Sequence, residues 1–439
     1  MATANHVLLR RITLSASASS VTFDSIPQTG YTDLKIVMSP RGNYSDDRIG
    51  VRMTFNGATS GYSYKRLYGY DGSNVASDSS SSASNIDFGS MPSTNATANT
   101  FGSFEVYIPN YASSNYKSVS AEQIAENNSS SRFVLGMGAS LWSNSAAITS
   151  INISPSNNDF IAGSSFSLYG IANAATTPAL APKADGGDII KTDGTYWYHI
   201  FTGTGVFKPQ LNLTCDYAVV AGAGGGGVDF GGGGGAGGYR TGTSVAFSTA
   251  SHTVTVGAGG IGGTRSNGFL GGNGTASSIS GGTLTTVSSA GGGGGGSMNF
   301  GNPNAGGSGG GGYGGYANMS GPGAAGNTPS TSPSQGNNGG AGYAPSGYGS
   351  NRYGGGGGGA TGVGGTATDS AFGQGGTGAT TSISGTSTTY ATGGKGCEGQ
   401  SFSGAVSGAM ATGNGGQGGG ENYSGGSGGS GIVIIRYAV

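Results

Sequence analysis

Glycine is concentrated in the second half of this chain, and that concentration limits the folds available to it. Of the 97 glycines in 439 residues, 84 lie in the last 254 positions. Glycine in regular structure costs roughly 0.5 to 1 kcal/mol relative to alanine, so a segment of this composition is disordered by default. Apolar strands at 217–220 and 431–437 bracket the segment. They indicate instead an ordered domain that is closed at both ends.

The glycine runs need a conformation in which every backbone polar group finds a partner. Collagen is excluded because the glycines lack a strict three-residue period and proline is scarce. We predict polyglycine-II helices, which are left-handed with three residues per turn and about 3.1 Å rise. Without Cβ atoms, such helices pack closely enough for the backbone of one to bond its neighbours. The predicted runs are 231–238, 257–263, 291–296, 306–315, 354–359, 393–396, 415–420 and 425–431.

The segments between the glycine runs carry tyrosine, asparagine and serine, with only eight charged residues between positions 219 and 431. Tyrosine with small polar residues is typical of recognition loops, because the aromatic ring gives contact area at a low entropy cost. We expect the scaffold to present these loops to a receptor. The predicted contact residues are Phe300, Tyr316, Tyr343, Tyr348, Arg352 and Tyr353. The alternative for each tyrosine is packing against the edge of the glycine block itself.

The first third alternates apolar and polar residues in short stretches, which indicates strands with one face on a core. Seven or more such stretches predict an antiparallel β-sandwich of jelly-roll type. Residues 71–85 are rich in serine and predict an exposed loop. Residues 118–127 fit a helix and a strand about equally well. The apolar positions expected to face the core include Leu34, Ile36 and Met38, Val51, Met53 and Phe55, Phe104, Val106 and Ile108, and Phe133, Leu135 and Met137.

Two prolines and small residues mark a linker at 173–187, which separates a β domain at 1–172 from a glycine-rich domain at 188–439. Asp193-Gly194, between aromatic strands, predicts a hairpin. The strands within 189–220 are expected to form a small β platform that carries the glycine runs. The terminal strand at 431–437 is expected to return to that platform.

Composition excludes several functional classes. The net charge is −1 and only 8% of residues are charged, so no nucleic-acid partner is expected. The chain has no apolar run of the ~18 residues that a membrane span requires. Its first residues do not resemble a signal peptide, so synthesis in a reducing cytoplasm is expected. Cys215 and Cys397 are expected to be free thiols, with a single bridge between them as the alternative.

Catalytic and cofactor motifs are weak. Residues 222–227 match G-x-G-x-x-G, but no helix can follow them, and residues 393–396 lack the Ser or Thr of a P-loop. His6, His199 and His252 are scattered, and acidic residues form no metal cluster. We therefore predict a non-enzymatic protein without cofactor or metal. A polysaccharide depolymerase is the less favoured alternative, because its carboxylates can come from distant positions.

Several motifs of the first third resemble a β domain of virion structural proteins in cyanophages and related marine phages. They are YSYKRLYG at 62–69, VYIPNY at 106–111, LWS at 141–143 and SLYGI at 167–171. The second half is similar to the glycine-rich adhesins of T-even-like Salmonella phages, in which polyglycine-II helices present variable loops.

These resemblances imply a phage virion appendage, on the tail or the capsid, that binds a host surface glycan or outer-membrane protein. Other virion proteins would be its partners, and phage fibres in general lead us to expect a homotrimer. Neither resemblance supplies a catalytic residue. A decoration protein of the capsid or tail without receptor binding is the alternative.

Overall fold

The computed structural model describes residues 6–72, 74–126, 134–172, 182–266, 270–298, 300–347 and 351–439. They form 24 β-strands that pair antiparallel in sheets, and no helix occurs among them. Consequently, the described part of the chain holds no helix that could cross a membrane. The all-β fold predicted from the sequence is confirmed.

The chain divides into two compact units. The first comprises residues 1–182, 188–197 and 439, and the second comprises 183–187 and 198–438. Residues 188–197, which the sequence analysis assigns to the glycine-rich domain, thus belong to the first unit. Most of the predicted linker, residues 173–181, lies outside the described residues.

The first unit contains thirteen complete strands. They are β1 (His6–Thr13), β2 (Val21–Phe23), β3 (Tyr31–Ser39), β4 (Arg48–Phe55), β5 (Tyr62–Tyr70), β6 (Asn74–Ala83), β7 (Ile86–Pro92), β8 (Ser103–Ile108), β9 (Lys117–Ala125), β10 (Val134–Trp142), β11 (Ile151–Pro155), β12 (Ser165–Ala172) and β14 (Ile189–Thr192).

The second unit contains β13 (Ala184–Asp185), β16 (Gly205–Pro209), β17 (Leu213–Val220), β18 (Tyr239–Phe247), β19 (His252–Thr255), β20 (Ser277–Gly281), β21 (Leu284–Ser289), β22 (Ala379–Thr381), β23 (Thr388–Tyr390) and β24 (Ile432–Ala438). Strand β15 (Tyr196–Phe201) begins in the first unit and continues into the second. It is preceded by the turn at Asp193-Gly194, where Gly194 has φ +88°, so the predicted hairpin turn is confirmed.

Eight strands of the first unit have the strand order of a jelly roll. One sheet contains β1-β12-β3-β8 and the other is β2-β11-β4-β7. Numbered one to eight along the chain, these strands run 1-8-3-6 and 2-7-4-5, the double Greek-key order. Two hairpin segments, β5–β6 and β9–β10, are inserted into this plan and extend the first sheet in the order β8-β9-β10-β5-β6. We call these four added strands the wing.

The two sheets share one hydrophobic core, and alternation along the strands decides which side chains enter it. Leu34, Ile36 and Met38 of β3 are buried, as are Val51, Met53 and Phe55 of β4 and Phe104, Val106 and Ile108 of β8. The prediction is wrong for β10. Val134 is buried there, whereas Leu135 and Met137 are 62% and 60% exposed. Phe133 lies outside the described residues.

In two segments of the wing, the structure differs from the predicted secondary structure or decides between two predicted alternatives. Residues 71–85 were predicted to form an exposed loop, but most of them belong to β6, which is exposed and pairs with β5. Serine is small and tolerates the extended conformation, so a polar composition does not exclude a strand there. Of the ambiguous segment at 118–127, residues 118–125 belong to β9, in which buried and exposed residues alternate strictly, and residue 127 lies outside the described residues.

The second unit contains part of the predicted β platform, namely β16, β17 and the end of β15, whereas β14 belongs to the first unit. Strand β24 returns to pair with β17, with Val220 opposite Ile432 and Asp216 opposite Arg436. Strands β13, β16, β19, β20 and β21 form a further sheet. Between these strands, His199 is fully buried against the ring of Phe207. Its Nδ1–H donates to the Gly186 carbonyl at 2.6 Å, and its Nε2 accepts from the Tyr437 hydroxyl at 3.0 Å.

The glycine runs between Val220 and Ile432, which we call the glycine block, bond one another through their backbones with a period of three residues. Residues 222 and 225 donate to the carbonyls of Thr275 and Gly272, residues 223 and 226 to Gly429 and Gly426, and residues 224 and 227 to Gly235 and Gly232, all at 2.9 to 3.0 Å. In the next run, 231 and 234 donate to 419 and 416, 232 and 235 to 296 and 293, and 233 and 236 to 355 and 358.

Every third residue of these runs therefore faces the same neighbouring run. A left-handed helix with three residues per turn has this period. The period supports the predicted polyglycine-II helices, whose conformation itself stays a prediction.

Close packing of the runs excludes side chains. A Cβ built on Gly235 would lie 2.2 Å from the carbonyl oxygen of Ser308, whereas one on Gly404 would meet nothing closer than 3.7 Å. We expect Gly235→Ala to lower the free energy of unfolding by about 3 kcal/mol, because backbone cannot move aside without breaking hydrogen bonds. Gly404→Ala should change it by less than about 0.5 kcal/mol. Chemical denaturation measures both, and equal effects would contradict this packing.

Burial also makes stability depend on pH. Desolvation lowers the pKa of His199 from 6.5 to about 4, against the opposing hydrogen bond to Gly186. Between pH 6.5 and pH 4, His199 is therefore mostly protonated in the unfolded chain and mostly neutral in the folded chain. We expect the free energy of unfolding to fall by about 1.4 kcal/mol per pH unit from this residue between about pH 6.5 and pH 4. Above that window, His199 contributes no pH dependence.

The measurement compares denaturation of the wild type and of His199→Gln near pH 7 and near pH 5. Carboxylates titrate in both proteins, so the difference between the two slopes isolates the histidine. Identical pH slopes would show that His199 is not held neutral by burial.

Candidate binding surface at the loop end of the glycine block

One turn in the glycine block gathers several loops around it. Residues 228–230 interrupt a long glycine run, and Asp229 and Phe230 both adopt positive φ, 51° and 56°. Two successive residues of this kind are typical of a type I′ turn. A bulky residue such as phenylalanine is strained there, so surrounding contacts must hold it in place.

The side chain of Asp229 ties two neighbouring loops to this turn. It is 3% exposed, its Oδ1 accepts the backbone N–H of Asn422 at 2.6 Å, and its carboxylate lies 3.3 Å from the guanidinium of Arg265. The backbone N–H of Met298 donates to the Asp229 carbonyl at 3.2 Å. A buried carboxylate is thus satisfied by hydrogen-bond donors from separate loops.

Arg352 joins the same turn to two further loops. Its guanidinium lies 3.7 Å from the ring centroid of Tyr316 and 4.9 Å from that of Phe230. The two rings meet edge to face at 6.1 Å. Arg352 is only 5% exposed, and a desolvated cation–π contact is worth about 2 kcal/mol. The stack therefore fixes Phe230 and the loop of Tyr316 relative to each other.

Backbone contacts complete the arrangement. Tyr343 and Tyr353 form an isolated antiparallel bridge, in which the Tyr343 N–H donates to the Tyr353 carbonyl at 2.9 Å. Asn318 donates to the Pro345 carbonyl at 3.0 Å. The hydroxyl of Tyr316 lies 3.4 Å from the carboxylate of Glu421. We call the surface formed by 228–230, 315–320, 421–424 and the described parts of 297–303 and 343–353 the loop end.

Those predicted receptor contacts that the structure describes come from loops of this surface, but they differ in exposure. Phe300 is 46% exposed. Tyr316, Tyr343 and Tyr353 are half-buried, and Arg352 is buried. Tyr348 lies outside the described residues. The structure thus brings Tyr316 and Arg352 together as a supporting stack, and their role in receptor contact stays a prediction.

Four residues at or near this stack were not predicted from the sequence. Asp229 and Phe230 form its centre, and the one available signal was an acidic residue and an aromatic residue interrupting a glycine run. Met319 and Tyr423 were not singled out, yet they are 64% and 42% exposed. Single exposed apolar residues are common on proteins, so nothing in the sequence distinguishes these two.

Among the described residues, no group of three or more His, Cys, Asp or Glu side chains could hold a metal ion. Cys215 and Cys397 are separate buried thiols, as expected. Burial raises the pKa of Cys397, beside the Arg352 carbonyl, to about 11, which disfavours the reactive thiolate form.

Comparison with known proteins identifies the second half of the chain. A family described as a glycine-rich domain matches residues 200–438, which is more than half of the chain. No curated protein and no solved structure shows significant similarity to the chain.

The Arg352 stack is expected to stabilise the loop end. Arg352→Ala should lower the free energy of unfolding by roughly 2 to 4 kcal/mol, because it removes a buried cation from two rings. It should also accelerate amide exchange in residues 314–320. The matched control is Arg240→Ala, whose guanidinium makes one long contact of 3.4 Å with the Ser288 carbonyl, and it should cost less than about 1 kcal/mol. Unchanged exchange in 314–320 after loss of Arg352 would contradict the supporting role.

Proposed function

We propose that this chain, which belongs to the glycine-rich domain family, is a phage virion appendage protein that binds the host cell surface through the loop end. The observation that carries the proposal is a set of exposed apolar side chains on a rigid support. Phe300, Met319 and Tyr423 are 46%, 64% and 42% exposed. They lie in three loops that contact the turn at 228–230 or the buried stack of Arg352, Tyr316 and Phe230.

Connectivity supports the closeness of these three side chains. Phe300 lies two residues after Met298, which packs with Phe230 in one apolar cluster. Met319 follows Tyr316 in the same short loop, and its N–H donates to the Tyr316 carbonyl at 2.8 Å. Tyr423 follows Asn422, whose N–H is bound by Asp229. Each exposed side chain is therefore close in sequence to a contact of the central turn.

Such an arrangement suits binding. Binding energy in protein interfaces is concentrated in a few large side chains surrounded by polar neighbours. Loops that are already ordered lose less conformational entropy when they bind. Asparagine, serine and glycine surround the three apolar side chains in these loops, which supplies adaptable hydrogen-bonding groups. The glycine block supplies the rigidity.

The test uses labelled full-length protein and a panel of cultured cyanobacteria, with bound fluorescence measured per cell. We expect saturable binding to at least one strain, and at least a tenfold loss of affinity in the triple variant Phe300→Ser, Met319→Ser, Tyr423→Ser, since anchor residues each contribute above 1 kcal/mol. The matched control removes exposed apolar side chains elsewhere on the glycine block, namely Ile261→Ser, Val363→Ser and Val406→Ser, which are 60%, 66% and 65% exposed.

The control should bind as the wild type does. Equal losses in both triple variants would locate binding outside the loop end. Absence of binding to every strain in the panel would favour a decoration role without a receptor.

A further inference from the structure

The free edge of the wing in the first unit has the properties of an association site. Strand β6 is ten residues long and ends its sheet, pairing with β5 alone among the described strands. The outer edge of such a strand presents a row of backbone N–H and C=O groups. An extended polypeptide strand is the ligand that matches this row.

Proteins usually protect such an edge with lysine, proline or a β-bulge. The register between β5 and β6 shifts between Ser80 and Ala83, but from Asn74 to Ser80 the pairing is regular. The sequence of β6, NVASDSSSSA, contains no proline, lysine or arginine, the residues that commonly block edge pairing. Its one charged residue, Asp78, accepts a hydrogen bond from Arg66 Nε at 2.8 Å and forms an ion pair with the same guanidinium. The edge therefore carries no uncompensated charge that would repel an identical strand.

The outward face of the wing adds apolar surface next to this edge. Leu135 lies opposite Ile124, and Met137 lies opposite Leu67. These four side chains are 46% to 62% exposed, and Val75 on β6 is 73% exposed. A groove of about 630 Å³ runs beside them, lined by Leu67 and Met137 and also by Ser77 of β6. Contiguous exposed apolar surface of this kind marks interaction sites.

From these features we propose that the regular part of β6, Asn74 to Ser80, pairs antiparallel with the same segment of a second copy of this chain around a two-fold axis near Ser77. Two-fold contacts require a surface that complements itself. In this register each Asp78 faces Ala76 of the second copy, and the two carboxylates are not directly opposed. The second strand also continues the outward face of the wing past Ser77, so the groove gains a wall from the partner. The trimer expected for fibres and this dimer differ in mass, so one measurement distinguishes them.

The first experiment measures the molar mass of the full-length protein by light scattering over a concentration series. We expect the wild type to reach twice the 42.5 kDa chain mass. Ser77→Lys with Ser79→Lys should return it to the monomer, because Lys at position 77 would face its own copy across the axis, and lysine on an edge strand opposes pairing. The matched control, Ser118→Lys with Ser120→Lys, places the same charge on the same face in β9 and should remain a dimer.

A covalent test covers the possibility that the lysine variant fails to fold. In this register residue 77 lies next to its own copy at the axis, within reach of a disulfide, whereas the native cysteines are buried. Ser77→Cys should give a disulfide-linked dimer on mild oxidation, and Ser118→Cys should not. A wild type that stays monomeric, a trimer, an unchanged mass of the folded lysine variant, or equal cross-linking by both cysteine variants would each overturn the proposal.

Discussion

The second unit depends on one constraint: backbone groups of neighbouring glycine runs must approach closely enough to bond each other. A Cβ on Gly224 would lie 2.1 Å from the carbonyl oxygen of Gly293, and one on Gly234 would lie 2.0 Å from that of Gly224. No side chain fits at such positions. Side chains that can contact a ligand are therefore restricted to turns, loops and the outer rows of the block. In this unit, contacts between side chains and a ligand can therefore be made mainly by the loops.

That restriction explains why the central turn matters. The turn at 228–230 departs from glycine at a point where several runs reverse, and Phe230 takes a φ that glycine would adopt more easily. The cost of this conformation is offset by contacts that glycine could not make, with Arg352 at 4.9 Å and Tyr316 at 6.1 Å. The turn accepts a strained backbone conformation, and in return its side chains form a small core beneath the loops. Without these side chains, the loops would pack only against the glycine backbone.

The sequence predicts the parts of this structure that depend on local pattern. Alternation identifies the strands of the jelly roll, and the bracketing apolar segments identify β17 and β24. Alternation gives the period of a strand but not the face that meets the core, which is why Leu135 and Met137 were assigned to the wrong side. Composition failed at β6, since pairing with β5 rather than propensity makes that segment a strand. The Arg352 stack joins positions 230, 316 and 352, and no local signal connects residues so far apart.

The wing shows that adding strands moves a sheet edge without removing it. In the eight-stranded plan, β8 would end its sheet, and β9 covers that edge. Strand β10 then pairs with β9, and β5 pairs with β10. Strand β6 pairs with β5 and forms the free edge of the sheet. Each added hairpin also brings an outward face that the core cannot cover, and on this face the exposed positions of β9, β10 and β5 include Ile124, Leu135, Met137 and Leu67. The unpaired backbone groups of an edge strand are a template on which another strand can pair. An insertion that exposes both backbone and apolar side chains at one boundary is therefore better explained by association than by the folding of the unit that carries it.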